Sequence, residues 1–312
     1  STLFPYTTLF RSVAKNLLPD FIVHSSIPLI IQPNAGMPKT LNGKTIYDIS
    51  PQVFAEYQAD FYKQGVAIIG GCCGTTPEHI RLTVKACEKL ECPTISNKNK
   101  TVVSSFAKTQ TIGDTPVIIG ERINPTGKKA FKQALKEKNL DYILNEGLQQ
   151  QEKGAHILDV NVGLPEINEV EMMLMALETL QPFVYLPLQI DTADPIVLEH
   201  ALRYYNGKAL VNSVNGSESS MHSVFPIVKK YGGVVVALTL DDDGIPETAQ
   251  GRFEIAKKIL KTANEYGIDK KDIIFDSLTM TVSSNPKAAN IALDALKLIK
   301  NSLCVKTILG VS

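Results

Sequence analysis

The 312-residue chain carries no net charge: 32 Lys and Arg balance 32 Asp and Glu. It therefore offers nucleic acid and anionic membranes no electrostatic attraction. Aromatics make up only 7% of residues, and no basic patch is interleaved with them, which argues against a nucleic-acid partner. No apolar run reaches the roughly 18–20 residues of a bilayer span, so no membrane partner is expected. Cysteine is scarce, with five residues in all, too few for a disulfide framework in a chain of this size. Residues 1–12 contain one basic residue, Arg11, and no long apolar core, unlike a secretory signal. Together these absences point to a reducing, cytoplasmic setting. What remains is an ordinary globular composition, 44% hydrophobic with a mean hydropathy of +0.01. The length suits one barrel-sized domain and part of a second.

Four stretches can be separated. Residues 1–12 fit poorly with the rest of the chain and read as a foreign leader. Residues 13–92 alternate short strands and helices. An apolar strand over 27–31 runs into Gln32-Pro33-Asn34-Ala35-Gly36, and a second over 66–69 runs into Gly70-Gly71-Cys72-Cys73-Gly74. Ser50-Pro51 opens one helix, and Thr76 caps another that begins at Pro77 and is expected over 78–90. Residues 93–113 turn to Thr, Ser, Asn and Lys, the composition of an interdomain linker. Residues 114–312 then repeat strand and helix, with strands expected over 117–119, 156–160, 185–190, 209–211, 234–239, 272–275 and 307–309. Near-continuous apolar strands separated by helices imply a parallel sheet covered on both faces. Seven repeats suit a (β/α)8 TIM barrel lacking its last strand–helix unit, although a doubly wound sheet shares the alternation.

The polar residues favour the barrel. Each expected strand ends at a polar residue or cluster: Glu121-Arg122-Asn124, Asp159-Asn161, Asp191-Thr192, Asn212-Ser213-Asn215, Asp241-Asp242-Asp243, Asp276-Ser277 and Gly310-Val311-Ser312. In a barrel all these ends meet at one mouth. The bland reading is that Asp and Asn cap the following helices; recurrence at nearly every strand end weakens it for the set. A mouth rich in carboxylates and amides, with Arg122 as its main cation, suits a neutral heterocycle of alternating donors and acceptors better than a phosphate.

Several of these motifs resemble known families. Ile118-Ile119-Gly120-Glu121-Arg122-Ile123-Asn124-Pro125-Thr126-Gly127 is similar to the opening strand and loop of pterin-binding methyltransferase barrels. Gly154 to Gly163, Asn212-Ser213-Val214-Asn215-Gly216, the Ala237 to Pro246 stretch, Ile274-Phe275-Asp276 and Ile308 to Ser312 resemble their later strands. The likeness covers residues 117–312. It implies that Asp191, Asn212 and Asp276 hold a pterin ring, with Asp159 and Asn161 as further members of the pocket. Gln32 to Gly36, and Gly70-Gly71-Cys72-Cys73-Gly74-Thr75-Thr76-Pro77-Glu78-His79-Ile80, resemble the last strand–loop units of homocysteine S-methyltransferase barrels. Two adjacent cysteines alone are more often buried and inert. Within this whole string they are expected to ligate zinc, which prefers thiolate. His79 is expected at the surface rather than on a metal, and Cys87, Cys92 and Cys304 are expected to be structural.

The order of the two modules is similar to the cobalamin-dependent methionine synthase family. The resemblance implies transfer of a methyl group from 5-methyltetrahydrofolate, through cobalamin on a separate cobalamin-binding domain, to homocysteine on zinc. In that family a third zinc cysteine precedes the stretch corresponding to Val13, and an Asn comes after the position of Ser312. Both ends are thus expected to be cut, and the fragment catalytically incomplete. Two alternatives stay open: a dihydropteroate-synthase-like enzyme, and a non-catalytic folate-binding module.

Overall fold

The computed structural model describes residues 11–113, 115–279 and 286–310. Most of the expected leader, and Val311 and Ser312 of the last expected strand end, lie outside them. The chain divides into two compact units, Ser1–Asn99 and Lys100–Ser312.

The first unit runs α1 (Arg11–His24), β1 (Ile30–Ile31), β2 (Lys39–Leu41), β3 (Lys44–Ile46), α2 (Pro51–Gln64), β4 (Ile68–Ile69) and α3 (Pro77–Cys87). Helix α2 starts where Ser50 caps it and Pro51 presets the first turn, and it stops at Gly65, whose φ of 121° an L side chain would resist. β1 and β4 pair in parallel, Ile30 with Ile68 and Ile31 with Ile69. The hairpin β2–β3 turns at Asn42-Gly43, both at positive φ (51° and 74°), as a two-residue turn of primed type requires. Leu18, Leu29, Ile31, Phe61 and Val66 form the core. Helix α1 begins at Arg11, so it crosses the boundary expected after Ser12.

The second unit runs β5 (Thr101–Ser104), β6 (Thr109–Ile112), β7 (Ile119–Ile123), α4 (Lys129–Lys136), α5 (Leu140–Glu152), β8 (Ile157–Val160), α6 (Glu169–Leu180), β9 (Leu188–Asp191), α7 (Pro195–Tyr204), β10 (Leu210–Asn215), α8 (Glu218–Tyr231), β11 (Val234–Leu238), α9 (Ala249–Glu265), β12 (Ile273–Asp276), α10 (Pro286–Leu303) and β13 (Lys306–Ile308). Seven parallel strands stand in the order β13-β12-β11-β10-β9-β8-β7. Every strand thus neighbours its sequence successor, which is the singly wound order of a barrel and excludes the doubly wound alternative.

Residues 101–112, expected within a linker, instead form the antiparallel hairpin β5–β6 and belong to the second unit. The physical reason is Val103. It is fully buried with Ile157, Leu210, Val234, Val236 and Ile274 at the amino-terminal end of the strands. Ser104 bridges Lys208 just before β10, and Thr101 Oγ1 donates to the Lys271 carbonyl just before β12 (2.7 Å). The hairpin therefore closes the bottom of the sheet's inner face.

Strand alternation sorts the side chains into two sets. Leu158, Val160, Leu188, Ile190, Val211, Val235, Ala237, Ile273 and Phe275 pack outward under the helices. Ile157, Leu210, Val234, Val236 and Ile274 face inward and make an apolar floor.

Candidate functional site

Above that floor the inward set turns polar. Asp159 and Asn161 share the parity of Ile157, Gln189 and Asp191 lie further on along β9, Asn212 shares that of Leu210, and Asp276 shares that of Ile274. Register aligns them: Asp159 lies opposite Gln189, Asp191 opposite Asn212, and Asp276 opposite Leu238. The structure thus brings all five residues singled out on the sequence, Asp159, Asn161, Asp191, Asn212 and Asp276, to the carboxyl-terminal half of one inner face.

Capping does not account for Asp159, Asn161, Asp191 or Asn212. Helices α6, α7, α8 and α9 are capped by Asn168, Asp194, Ser217 and Thr248 instead. Three other strand-end residues close local turns. Asn124 accepts from Thr126 N, Asn215 from Ser217 N and Asp241 from Asp243 N, each closing a turn.

Four of the inward residues are wired in two pairs. Asn161 Nδ2 donates to Asp191 Oδ2 (2.9 Å), and its Oδ1 accepts from Gly163 N (2.9 Å). Gln189 Nε2 donates to Asp159 Oδ1 (2.5 Å). Asp276 Oδ1 accepts from Leu278 N (2.7 Å), and its carbonyl accepts from Thr239 N and Oγ1. The peptide after Asn212 is cis, and the Asn212 carbonyl accepts from Thr192 N (3.1 Å).

Burial sets the charges. Burial first, and the nearby Asp191 second, push Asp159 up to about 8, with the Gln189 amide only partly opposing. Asp159 therefore keeps its proton at neutral pH. Burial also raises Asp191, against the Asn161 hydrogen bond, and raises Asp276, against the Leu278 N–H and the charge of Arg252. Lys128, whose Nζ donates to the Glu121 carbonyl (2.9 Å), adds a cation that reading by composition overlooked.

Two buried residues were missed on the sequence. Gln189 is a polar residue between Leu188 and Ile190 in an otherwise apolar strand, a signal that was available. Arg252, 2% exposed, sits in the first turn of α9, where a sequence gives no reason to bury it.

The first unit holds the cysteine pair. The two Gly-rich loops are stitched together: Cys72 N donates to the Pro33 carbonyl (3.0 Å), Cys73 N to Asn34 Oδ1 (3.0 Å), and Ala35 N to the Cys73 carbonyl (2.9 Å). Gly74, at φ 80°, leaves room for the Tyr47 ring, which an added Cβ would strike. Tyr47 is held above its ordinary value by burial, then by its hydrogen bond to Cys73. The two sulfurs lie 3.9 Å apart. Zinc–sulfur bonds of about 2.3 Å at tetrahedral angles set sulfurs about 3.8 Å apart, so the pair fits two corners of a zinc site. Among the described residues no cluster of three ligating side chains exists, whereas a catalytic zinc takes three protein ligands. Contrary to expectation, His79 is no surface residue. It is 5% exposed, its Nδ1 accepts from Thr76 N (3.1 Å), and its Nε2 therefore donates to the Ile49 carbonyl (3.0 Å).

Comparisons with known proteins agree with this division. A family model described as homocysteine S-methyltransferase matches residues 7–87, starting inside the stretch expected to be a foreign leader. Among curated proteins, the methionine synthase of Mycobacterium tuberculosis is 32% identical over 274 residues, 84% of this chain and 23% of that protein. That of Mycobacterium leprae is 32% identical over 308 residues, 93% of this chain and 26% of that protein. The chain thus spans about a quarter of the length of these relatives. Among solved structures, a Xanthomonas albilineans dihydropteroate synthase with 4-aminobenzoic acid superposes with a TM-score of 0.54 at 18% identity, over 68% of this chain and 77% of that one. The Yersinia pestis dihydropteroate synthase superposes with a TM-score of 0.50 at 14% identity, over 68% and 76%. At such identities the likeness concerns the fold alone. A family model described as pterin binding enzyme matches residues 120–312, more than half of the chain, and the chain belongs to that family.

Proposed function

We propose that the second unit holds the pterin ring of 5-methyltetrahydrofolate, within an enzyme that moves the donor's methyl group to homocysteine to make methionine. The observation that carries this reading is the inward row of Asp191, Asn212 and Asp276 above an apolar floor. A pterin edge presents ring N–H and amino donors beside a carbonyl and ring-nitrogen acceptors. Carboxylates take the donors and an amide answers both. Asp159, kept neutral, spares the pocket a second negative charge next to Asp191. The methionine synthase relatives and the homocysteine S-methyltransferase match in the first unit support methyl transfer over pterin condensation.

The chemistry sets a demand. The methyl of a tertiary amine leaves poorly, so a proton or hydrogen bond must reach N5 as the bond breaks. This chain's part is to bind and orient the ring so that its methyl faces outward through the mouth. The nucleophile for that methyl group would be supplied by a corrinoid held on a cobalamin-binding domain. Cys72 and Cys73 would hold zinc for homocysteine. They would supply two of the three protein ligands that a catalytic zinc takes.

Calorimetric titration of the full chain with 5-methyltetrahydrofolate tests the reading. One site per chain is expected, with Asp191→Ala weakening it at least about tenfold through the loss of a charge-assisted hydrogen bond. Equal affinity in the variant would remove the assignment.

A further inference from the structure

We infer that Arg252 is a positioning residue for the mouth: its buried guanidinium locks the chain leaving β12 so that the Asp276 carboxylate faces the ring. The inference rests on the pterin reading above. Arg252 Nε donates to the Pro246 carbonyl (3.0 Å), and its Nη1 donates to the carbonyls of Ser277 (2.5 Å) and Leu278 (2.9 Å). Those acceptors belong to two loops, one after β11 and one after β12, and a single planar fork ties them together.

Leu278 is the residue most in need of that support. Its φ is 58°, in the left-handed region that a branched side chain rarely adopts. It is gripped from both ends, its N–H by Asp276 Oδ1 (2.7 Å) and its carbonyl by Arg252 (2.9 Å). One carboxylate oxygen of Asp276 is thereby fixed in the turn, and the other has no hydrogen-bond partner among the described residues. The acceptors of Arg252 are neutral carbonyls, so its charge is not cancelled by a hydrogen-bonded carboxylate. It acts on Asp276 instead, and favours the ionised form that accepts from ring donors. Arg252 itself is too deeply buried to touch a ligand.

The test is a double-mutant cycle on 5-methyltetrahydrofolate affinity in the full chain. Asp276→Ala and Arg252→Met are each expected to weaken binding about tenfold, and the double variant no more than Asp276→Ala alone, because both remove one arrangement. Val103→Ala, which loosens the floor at the opposite end of the strands, serves as the control for general destabilisation and is expected to keep its affinity. Should Arg252→Met fail to fold, Arg252→Lys keeps the charge while losing the fork, and an intermediate loss is expected. Arg252 variants that bind like the Val103→Ala control, or losses that add to that of Asp276→Ala, would overturn the inference. Normal binding by Asp276→Ala would overturn it by a different route, since the pterin reading of Asp276 itself would then fail.

Discussion

Asp159 meets Asp191 inside the sheet at 2% exposure, where two full negative charges would be expensive to hold together. Its pKa of about 8 against an ordinary 3.8 makes stability depend on pH in a definite direction. Between those values the folded chain binds a proton that the unfolded chain releases. The contribution is therefore complete below about pH 4, falls as pH rises, and is gone above about pH 8. Urea midpoints measured at pH 5 and pH 8 are expected to drop between the two for the natural chain. The drop should be smaller for Asp159→Asn, with Asp191 and Asp276, raised in the same direction, supplying the remainder. An equal drop in both proteins would contradict a buried neutral acid at this position. Much of this layer was legible in the sequence, because Asp159, Asp191, Asn212 and Asp276 each come directly after an apolar run, and Asn161 shares the parity of Asp159. Arg252 and His79 were not legible. Each is buried by partners distant in sequence, the Ser277 and Leu278 carbonyls for Arg252 and the Ile49 carbonyl for His79.

Strands and helices came through the sequence well, and their edges less so. β10 runs on to Asn215 and β7 to Ile123, past the apolar residues at which both were expected to end. The cause is the polar inner layer: pairing goes on past the last apolar residue, across a register shift in each strand, between Asn212 and Val214 in β10 and between Gly120 and Ile123 in β7. The hairpin β5–β6 was hidden for a related reason. Thr101, Ser104, Thr109, Gln110 and Thr111 look like linker residues, and only Val103 and Ile112 mark a face that packs under the sheet. Val103→Ala is expected to cost about 2 kcal/mol by leaving a cavity in the floor, read as a lower urea midpoint. Ligand affinity should be retained, since the polar row is held by strand pairing above. An unchanged midpoint would mean that the hairpin does not close the floor.

At the scale of the molecule, two units succeed one another along the chain, each matched by its own family model. The chain carries no net charge, and among the described residues no helix is long and apolar enough to cross a membrane. The first unit contributes a thiol pair at metal-binding spacing, and the second a polar mouth over an apolar floor. The account stands or falls on the second. A crystal structure of the chain soaked with 5-methyltetrahydrofolate is the most direct measurement. The account predicts the pterin edge seated against Asp191, Asn212 and Asp276, within hydrogen-bond distance of all three. A ring bound elsewhere on the unit, with those three side chains untouched, would contradict it.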